Sequence, residues 1–287
     1  MSNSFFFGHE GLFRCPICHD AMRLISGKSL ICSRRHGFDI ARQGYVNFLR
    51  RPPKSGYGKS MFESRAAIVR SGFFRPLLER AGSELSLLLQ ASGERIAILD
   101  AGCGEGSHLA FLREELIRKT ERGVIGAGLD IAKEGVRIAA RQHPDLVWCA
   151  ADIAECPFQD GCFDAILNIL SPSRYAEFQR LLVPGGIALK IVPGNDYLRQ
   201  LRVKLYGSSF RRTHPGDSAA GLFRTRFELL REERVRYEVK LDPSLREHLF
   251  RMTPLSWAAP EEEVQRAMDS VGGEITVDLT MLIGRKR

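Results

Sequence analysis

Four residues near the amino end, Cys15, Cys18, Cys32 and His36, stand at the spacing C-x2-C, thirteen residues, C-x3-H. Thiolate and imidazole ligands in that pattern suit a tetrahedral zinc. The Cys-Pro-Ile-Cys turn brings two thiolates together, and a short hairpin through Ser26-Gly27-Lys28 would return Cys32 and His36 to the same point. A closed set of four leaves no position open for a reacting water, so the expected site is structural. Different chemistry belongs to a second stretch. Ile96-Ala97-Ile98-Leu99-Asp100 reads as a buried strand ending in a carboxylate, and Gly102, Gly104 and Gly106 follow as an open turn. Glycines let the backbone pass close to a ligand with no Cβ in the way, and a helix opening at His108 and Leu109 turns its free N–H groups to the same point. This is a nucleotide-binding turn.

The elements around that turn repeat one theme. Residues 123–130 read as a second strand ending in Asp130, 132–142 as a helix, and 146–150 as a third strand with Asp152 just past it. An acid at Asp130 can accept both hydroxyls of a ribose, and one at Asp152 can accept an adenine amino group. Three acids ending three successive strands argue against a chance surface placement. A fourth strand at 161–170, a fifth at 187–192 after Leu-Val-Pro-Gly-Gly, and further strands at 232–241 and 273–283 around a helix at 261–268 complete a seven-stranded sheet. Two helices, carrying Met61, Phe62, Val69 and then Leu77, Leu78 and Leu85 at helical spacing, lead into the central strand. The loop spacing D-x-G-x-G-x-G differs from the G-x-G-x-x-G that seats a pyrophosphate in dinucleotide enzymes. It resembles motif I of the class I S-adenosylmethionine-dependent methyltransferases, an α/β fold of the Rossmann-like kind with a mixed sheet.

Composition sets the outer bounds. The 287 residues, 44% apolar, suit two domains with cores of their own. No basic start with an apolar core marks an export signal, and no run approaches a membrane span, so a cytoplasmic protein is expected. Seven cysteines, an odd number with three near the amino end, favour a metal in a reducing compartment over disulfides. Net charge is +8, and residues 1–60 hold ten Lys/Arg against three Asp/Glu, so the first fifth carries +7 of it. A polyanionic partner suits that asymmetry, and a merely solvated basic surface accounts for it as well. Residues 195–227 carry seven Lys/Arg among Tyr197, Tyr206 and Phe210, a mixture suited to RNA, although an amphipathic helix with a solvated face fits nearly as well.

Taken together, C-P-x-C with C-x3-H, Gly44-Tyr45-x-Asn47, I-L-D-x-G-C-G-E-G from Ile98 to Gly106, and Met252-Thr253-Pro254-Leu255-Ser256-Trp257 resemble the bacterial 23S ribosomal RNA (guanine-N1)-methyltransferases of the RlmA/TlrB type, nearly end to end. The resemblance implies a zinc-ribbon-like RNA-recognition domain at 1–50 with Zn2+ on Cys15, Cys18, Cys32 and His36. A basic linker at 51–60 and a methyltransferase domain at 61–287 follow, with 195–227 as a basic insertion. It implies S-adenosylmethionine against Phe74, Asp100, Gly102, Gly104, Gly106, His108, Leu109, Asp130, Asp152 and Tyr197. Arg34 and Arg35, held between two ligands at the knuckle surface, and Trp257, a stacking wall for the flipped base or else a core tryptophan, are the candidate substrate residues read from the sequence itself. The implied substrate is a guanine in a hairpin of domain II of 23S rRNA, a homodimer is compatible with such a grip, and some family members contribute to macrolide resistance.

The chemistry implied is an in-line methyl transfer in which positioning does most of the work. Guanine N1 carries a proton and pairs with cytosine, so the base must be unpaired and the proton removed. Residues 168–175, past the fourth strand, face the methyl group in this fold but hold no obvious base, and no catalytic residue is assigned from sequence. Cys156 and Cys162 lack the Pro-Cys setting of a nucleophile and read as ordinary thiols. A zinc-containing methyltransferase of another RNA or of a small molecule would show turnover without ribosomal RNA. A zinc-ribbon RNA-binding protein with a defunct enzyme domain would bind no cofactor.

Overall fold

The computed structural model describes residues 8–51, 57–90, 93–207, 215–257 and 259–287. Residues 52–56 of the expected linker, and 208–214 of the basic insertion with Phe210, lie outside the described residues.

Short β-prone runs separated by turn residues make the amino-terminal module. β1 (Met22–Ile25), β2 (Ser29–Cys32) and β3 (Gly37–Asp39) form a three-stranded antiparallel sheet. The expected hairpin joins β1 to β2, with Ser26 and Gly27 at φ 52° and 67°, the two left-handed residues that match the strand twist. β4 (Tyr45–Asn47) then leaves the module and pairs in parallel with β7 (Val147–Ala150) of the larger sheet.

Helices α1 (Lys59–Arg70) and α2 (Arg75–Leu88) precede the central strand, β5 (Arg95–Ala101). Alternating strands and helices follow: α3 (Ser107–Thr120), β6 (Gly123–Asp130), α4 (Lys133–Gln142), β7, β8 (Phe163–Ile169), α5 (Tyr175–Leu181) and β9 (Leu182–Pro193). Next come α6 (Arg199–Tyr206), α7 (Pro215–Arg226), β10 (Glu228–Lys240), α8 (Pro243–Met252), α9 (Glu261–Ser270) and β11 (Glu274–Arg285). The sheet order is β10-β11-β9-β8-β5-β6-β7-β4, with β10 and β11 antiparallel at one edge. It has eight strands, not the seven expected, because β4 adds itself beside β7.

Both faces of the sheet are covered, which explains why its inner strands are continuous apolar runs. Ile96 and Ile98 pack on one face with Leu77, Leu85 and Leu112, whereas Leu99 and Ala101 pack on the other with Phe13, Phe158 and Phe178. The zinc-binding module therefore forms part of the second face. Phe13 is fully buried between Phe48 and Phe158, with ring centres 5.9 and 5.3 Å away. Strand order reverses at β5, which has β8 on one side and β6 on the other, and an open α/β sheet leaves its ligand crevice at that point.

Candidate active site and metal centre

The ligand atoms of Cys15, Cys18, Cys32 and His36 all lie within 4.8 Å of one another. Cys15 Sγ and Cys32 Sγ each stand 3.5 Å from His36 Nδ1, and Cys18 Sγ stands 3.5 Å from Cys32 Sγ. Around a tetrahedral zinc with bonds of about 2.1 and 2.3 Å, such edges measure roughly 3.6–3.8 Å. The four donors fit that ion. The Ile17 N–H points at Cys15 Sγ (3.4 Å), and Cys32 N donates to His36 O (3.1 Å), so the backbone holds the ligands as well as the hairpin does. Of the two arginines between the last ligands, Arg34 is exposed and 3.4 Å from Asp20, and Arg35 sits at φ 63° in the turn, its side chain also exposed.

At the crevice, Gly102, Gly104 and Gly106 all have positive φ (92°, 57° and 87°). Their reasons differ. A Cβ at Gly102 would lie 1.9 Å from Ser171 Oγ, on the loop past β8, so this glycine admits the loop across the crevice. A Cβ at Gly106 would lie 2.4 Å from Trp148 in β7, so the third glycine serves packing under the turn. The Gly104 N–H donates to Asp130 Oδ2 and the Ala132 N–H to Oδ1, each at 2.8 Å, which fastens the turn to the end of β6. Burial pushes the Asp130 carboxyl up, against those two donors and Arg65. Asp100 is buried beneath the turn with Oδ1 unpartnered, and burial pushes it up to about 7 against the pull of Arg65. His108 is buried with Nε2 unpartnered and edge-on to Phe74 at 5.2 Å; burial, with Arg65, holds it down at about 3, so the ring is neutral. Glu105 is buried, bonded to Ser107 Oγ, and raised by burial.

One cavity of about 1090 Å³ opens here. That is just above the ~300–1,000 Å³ that holds a single drug-sized ligand, and leaves room for a nucleoside cofactor and an acceptor together. Phe74, Gly102, Asp130, Asp152 and Tyr197 line it. Asp152 is exposed, and its Oδ1 caps the turn after β7 by accepting from Ala154 N at 2.8 Å. Gly104, Gly106, Asp100, His108 and Leu109 lie behind the wall, with Leu109 packed in the core. Residues 170–173, Lys190, Leu222 and residues 252–255 line it as well. Thr253 and Pro254 open a short helical turn that Ser256 Oγ ties back to Phe250 O and that Tyr206 OH meets at Leu255 O. Trp257 is 44% exposed, off the cavity wall, and edge-on at 5.3 Å to Tyr57, which does line it.

Sequence reasoning missed Arg65 and Lys190. Arg65 lies one turn after Met61 and Phe62 on α1, lines the cavity, and comes within 3.1 Å of where a Gly104 Cβ would stand. Helical spacing alone gave it no mark. Lys190 did carry one, as a single cation inside the apolar run Ile187-Ala188-Leu189-Lys190-Ile191-Val192.

Comparison with known proteins agrees with this layout. The family model described as the RlmA N-terminal zinc ribbon matches residues 13–54, and one described as a methyltransferase domain matches residues 98–186. The chain is 35% identical to a 23S rRNA (guanine(748)-N(1))-methyltransferase of Streptomyces fradiae over 276 residues, covering 95% of this chain and 96% of that protein. It is 44% identical to YxjB of Bacillus subtilis (strain 168), which carries a provisional name of the same kind, over 96% of this chain and 97% of the relative. A similarly named protein of Micromonospora griseorubida is 27% identical over 96% of each chain.

Proposed function

The chain belongs to the family of 23S rRNA (guanine-N1)-methyltransferases, and from that premise we propose that it methylates N1 of a guanine held in a hairpin of domain II of 23S rRNA. The observation that carries the proposal is the single cavity that joins the acids ending β6 and β7 to the wall at 170–173 and 252–255. S-adenosylmethionine supplies a methyl on a sulfonium, a leaving group that is already good. Asp130 and Asp152 are assigned to its ribose and adenine. Gly102, Phe74 and Tyr197 flank it, Arg65 pairs with its carboxylate, and Asp100 offers its unpartnered oxygen from below. Gly104, Gly106, His108 and Leu109 shape the turn and the start of α3 beneath it.

The protein's own part is to bind, orient and keep water out. Guanine N1 is reached only after the base leaves its pair, so the acceptor wall receives a flipped base, with Tyr57 and Trp257 as an aromatic pair at the mouth. We divide the chain into the zinc module at 1–50 that grips RNA, a basic connection at 51–60, and the catalytic unit at 61–287. The charge concentrated before residue 60, the exposed Arg34 and Arg35, and the cations of 195–227 support RNA contact. A homodimer gripping one hairpin and a cytoplasmic location are part of the same proposal. In support of the location, all seven cysteines are free, and among the described residues no helix is long and apolar enough to cross a membrane.

The test is incubation of the zinc-loaded protein with methyl-labelled S-adenosylmethionine and unmodified 23S rRNA, followed by nucleoside analysis. N1-methylguanosine is the expected product. Label in another nucleoside, or turnover of small molecules without RNA, overturns the proposal.

A further inference from the structure

Removing the N1 proton of guanine places negative charge on the base, shared between N1 and O6, and none of the cofactor-side residues answers that charge. We propose that the Lys190 ammonium binds O6 of the flipped guanine and stabilises the N1-deprotonated base. This rests on the function proposed above.

Lys190 is 5% exposed, in the middle of β9, and lines the cavity beside the loop at 170–173. Its Nζ donates to Asn168 Oδ1 (2.5 Å) and to Ser171 O. Asn168 is itself fixed: its amide donates to Ala101 O (2.6 Å) and Pro172 O (3.0 Å), and its Oδ1 also accepts from Ser173 Oγ (2.9 Å). The β8–β9 register sets Asn168 opposite Lys190, and the loop turns over them at Leu170, where φ is 52°. Two of the three ammonium N–H groups are thus occupied by neutral oxygens that hold the group in place, leaving one for a ligand. No carboxylate lies within ion-pair distance among the described residues, and on β11 the register neighbour is Leu282. A buried cation without a counter-ion is costly, and a site that develops an anion during its reaction gives that cost a use.

The step balances without a further reagent. The N1–H bond breaks and its proton passes to water at the cavity mouth. The N1 electron pair forms the N1–CH3 bond, and the electrons of the broken S–CH3 bond stay on sulfur. A neutral methylated base, a thioether and a hydrated proton result.

Burial alone brings the Lys190 ammonium down to about 8. The other titratable groups that line the cavity are Tyr57, Arg65, Asp130, Asp152, Tyr175, Tyr197 and Tyr206. Lys190 is therefore charged below about pH 8 and neutral above it, which gives the role a signature in the pH profile.

The experiment compares wild type, Lys190→Met and Lys190→Arg in single-turnover methylation of a 23S rRNA hairpin from pH 6 to 10, with affinities for S-adenosylhomocysteine and for the hairpin measured by calorimetry. Both affinities are expected to stay within about threefold. Lys190→Met should lose roughly 10²- to 10³-fold in rate at pH 7, the range seen when one oxyanion donor is removed, and recover as pH rises and hydroxide replaces the lost help. Wild type should decline above about pH 8, and Lys190→Arg, always charged, should not. A Lys190→Met rate within threefold of wild type at pH 7, or one depressed equally at every pH, overturns the inference, since a merely structural role for the loop would not move the basic limb. If Lys190→Met loses S-adenosylhomocysteine binding, the basic limb of Lys190→Arg decides alone. Failure of the wild type to form N1-methylguanosine refutes the functional reading instead.

Discussion

Asp100 gives a prediction whose size follows from its burial. The carboxyl is 1% exposed, one of its oxygens has no partner, and burial, opposed by Arg65 and reinforced by Asp130 and Glu105, raises it from 3.8 to about 7. A group raised in the folded state contributes stability that is fully present below its unfolded pKa, near 4, and is lost as pH climbs through about 7. Between pH 5 and 8 the loss integrates to roughly 2–3 kcal/mol at 1.36 kcal/mol per unit. A chain of this length unfolds with an entropy near 0.6 kcal/mol/K, so the loss corresponds to about 4 °C in Tm. Asp100→Asn keeps the shape and removes the titration. Differential scanning calorimetry of the cofactor-free proteins should show wild type losing about 4 °C more than the variant between pH 5 and 8. The same variant should bind S-adenosylmethionine at least tenfold more weakly, because the site no longer offers a negative charge to a cationic ligand. Equal pH dependence in the two proteins would refute the assignment of the buried charge, and undiminished cofactor affinity would refute its use.

Other expectations follow from particular contacts. Gly106→Ala combines a left-handed backbone at φ 87° with a Cβ 2.4 Å from Trp148, and should cost about 3 kcal/mol in chemical denaturation; a loss under 1 kcal/mol would contradict the close packing. Cys32→Ser should release the zinc, measured by elemental analysis, and weaken hairpin binding more than cofactor binding. Phe13→Ala removes the fully buried ring between Phe48 and Phe158 and should destabilise by roughly 3–4 kcal/mol, with faster proteolysis of the amino-terminal module.

Local patterns made much of the site legible. The cysteine spacing depends only on two tight turns, and it forecast a four-donor cluster that the fold closes. The strand ends at Asp100 and Asp130 and the turn between them were equally plain, because a parallel strand buried on both faces reads as an apolar run that stops where the chain meets the crevice. β4 escaped notice for a physical reason: three residues at 45–47 pair with a strand about a hundred positions away, and nothing nearby in the chain encodes that pairing. Residues 168–175 were legible as the segment past the fourth strand that faces the methyl group, whereas Lys190 and 252–255 join them at the cavity only through the sheet order and the packing of α6 and α8. Gly106 illustrates a subtler loss. Its place in a ligand loop was visible, but the Trp148 ring that forbids a side chain there was not.

Methyl transfer to a ribosomal guanine is tested most directly by mass-spectrometric mapping of 23S rRNA from cells with and without this protein. One guanine should carry an N1-methyl group in the first sample, lack it in the second, and regain it when the intact gene is restored. Ribosomal RNA identical in the two samples, or a modification lost from a different atom or a different RNA, would contradict it.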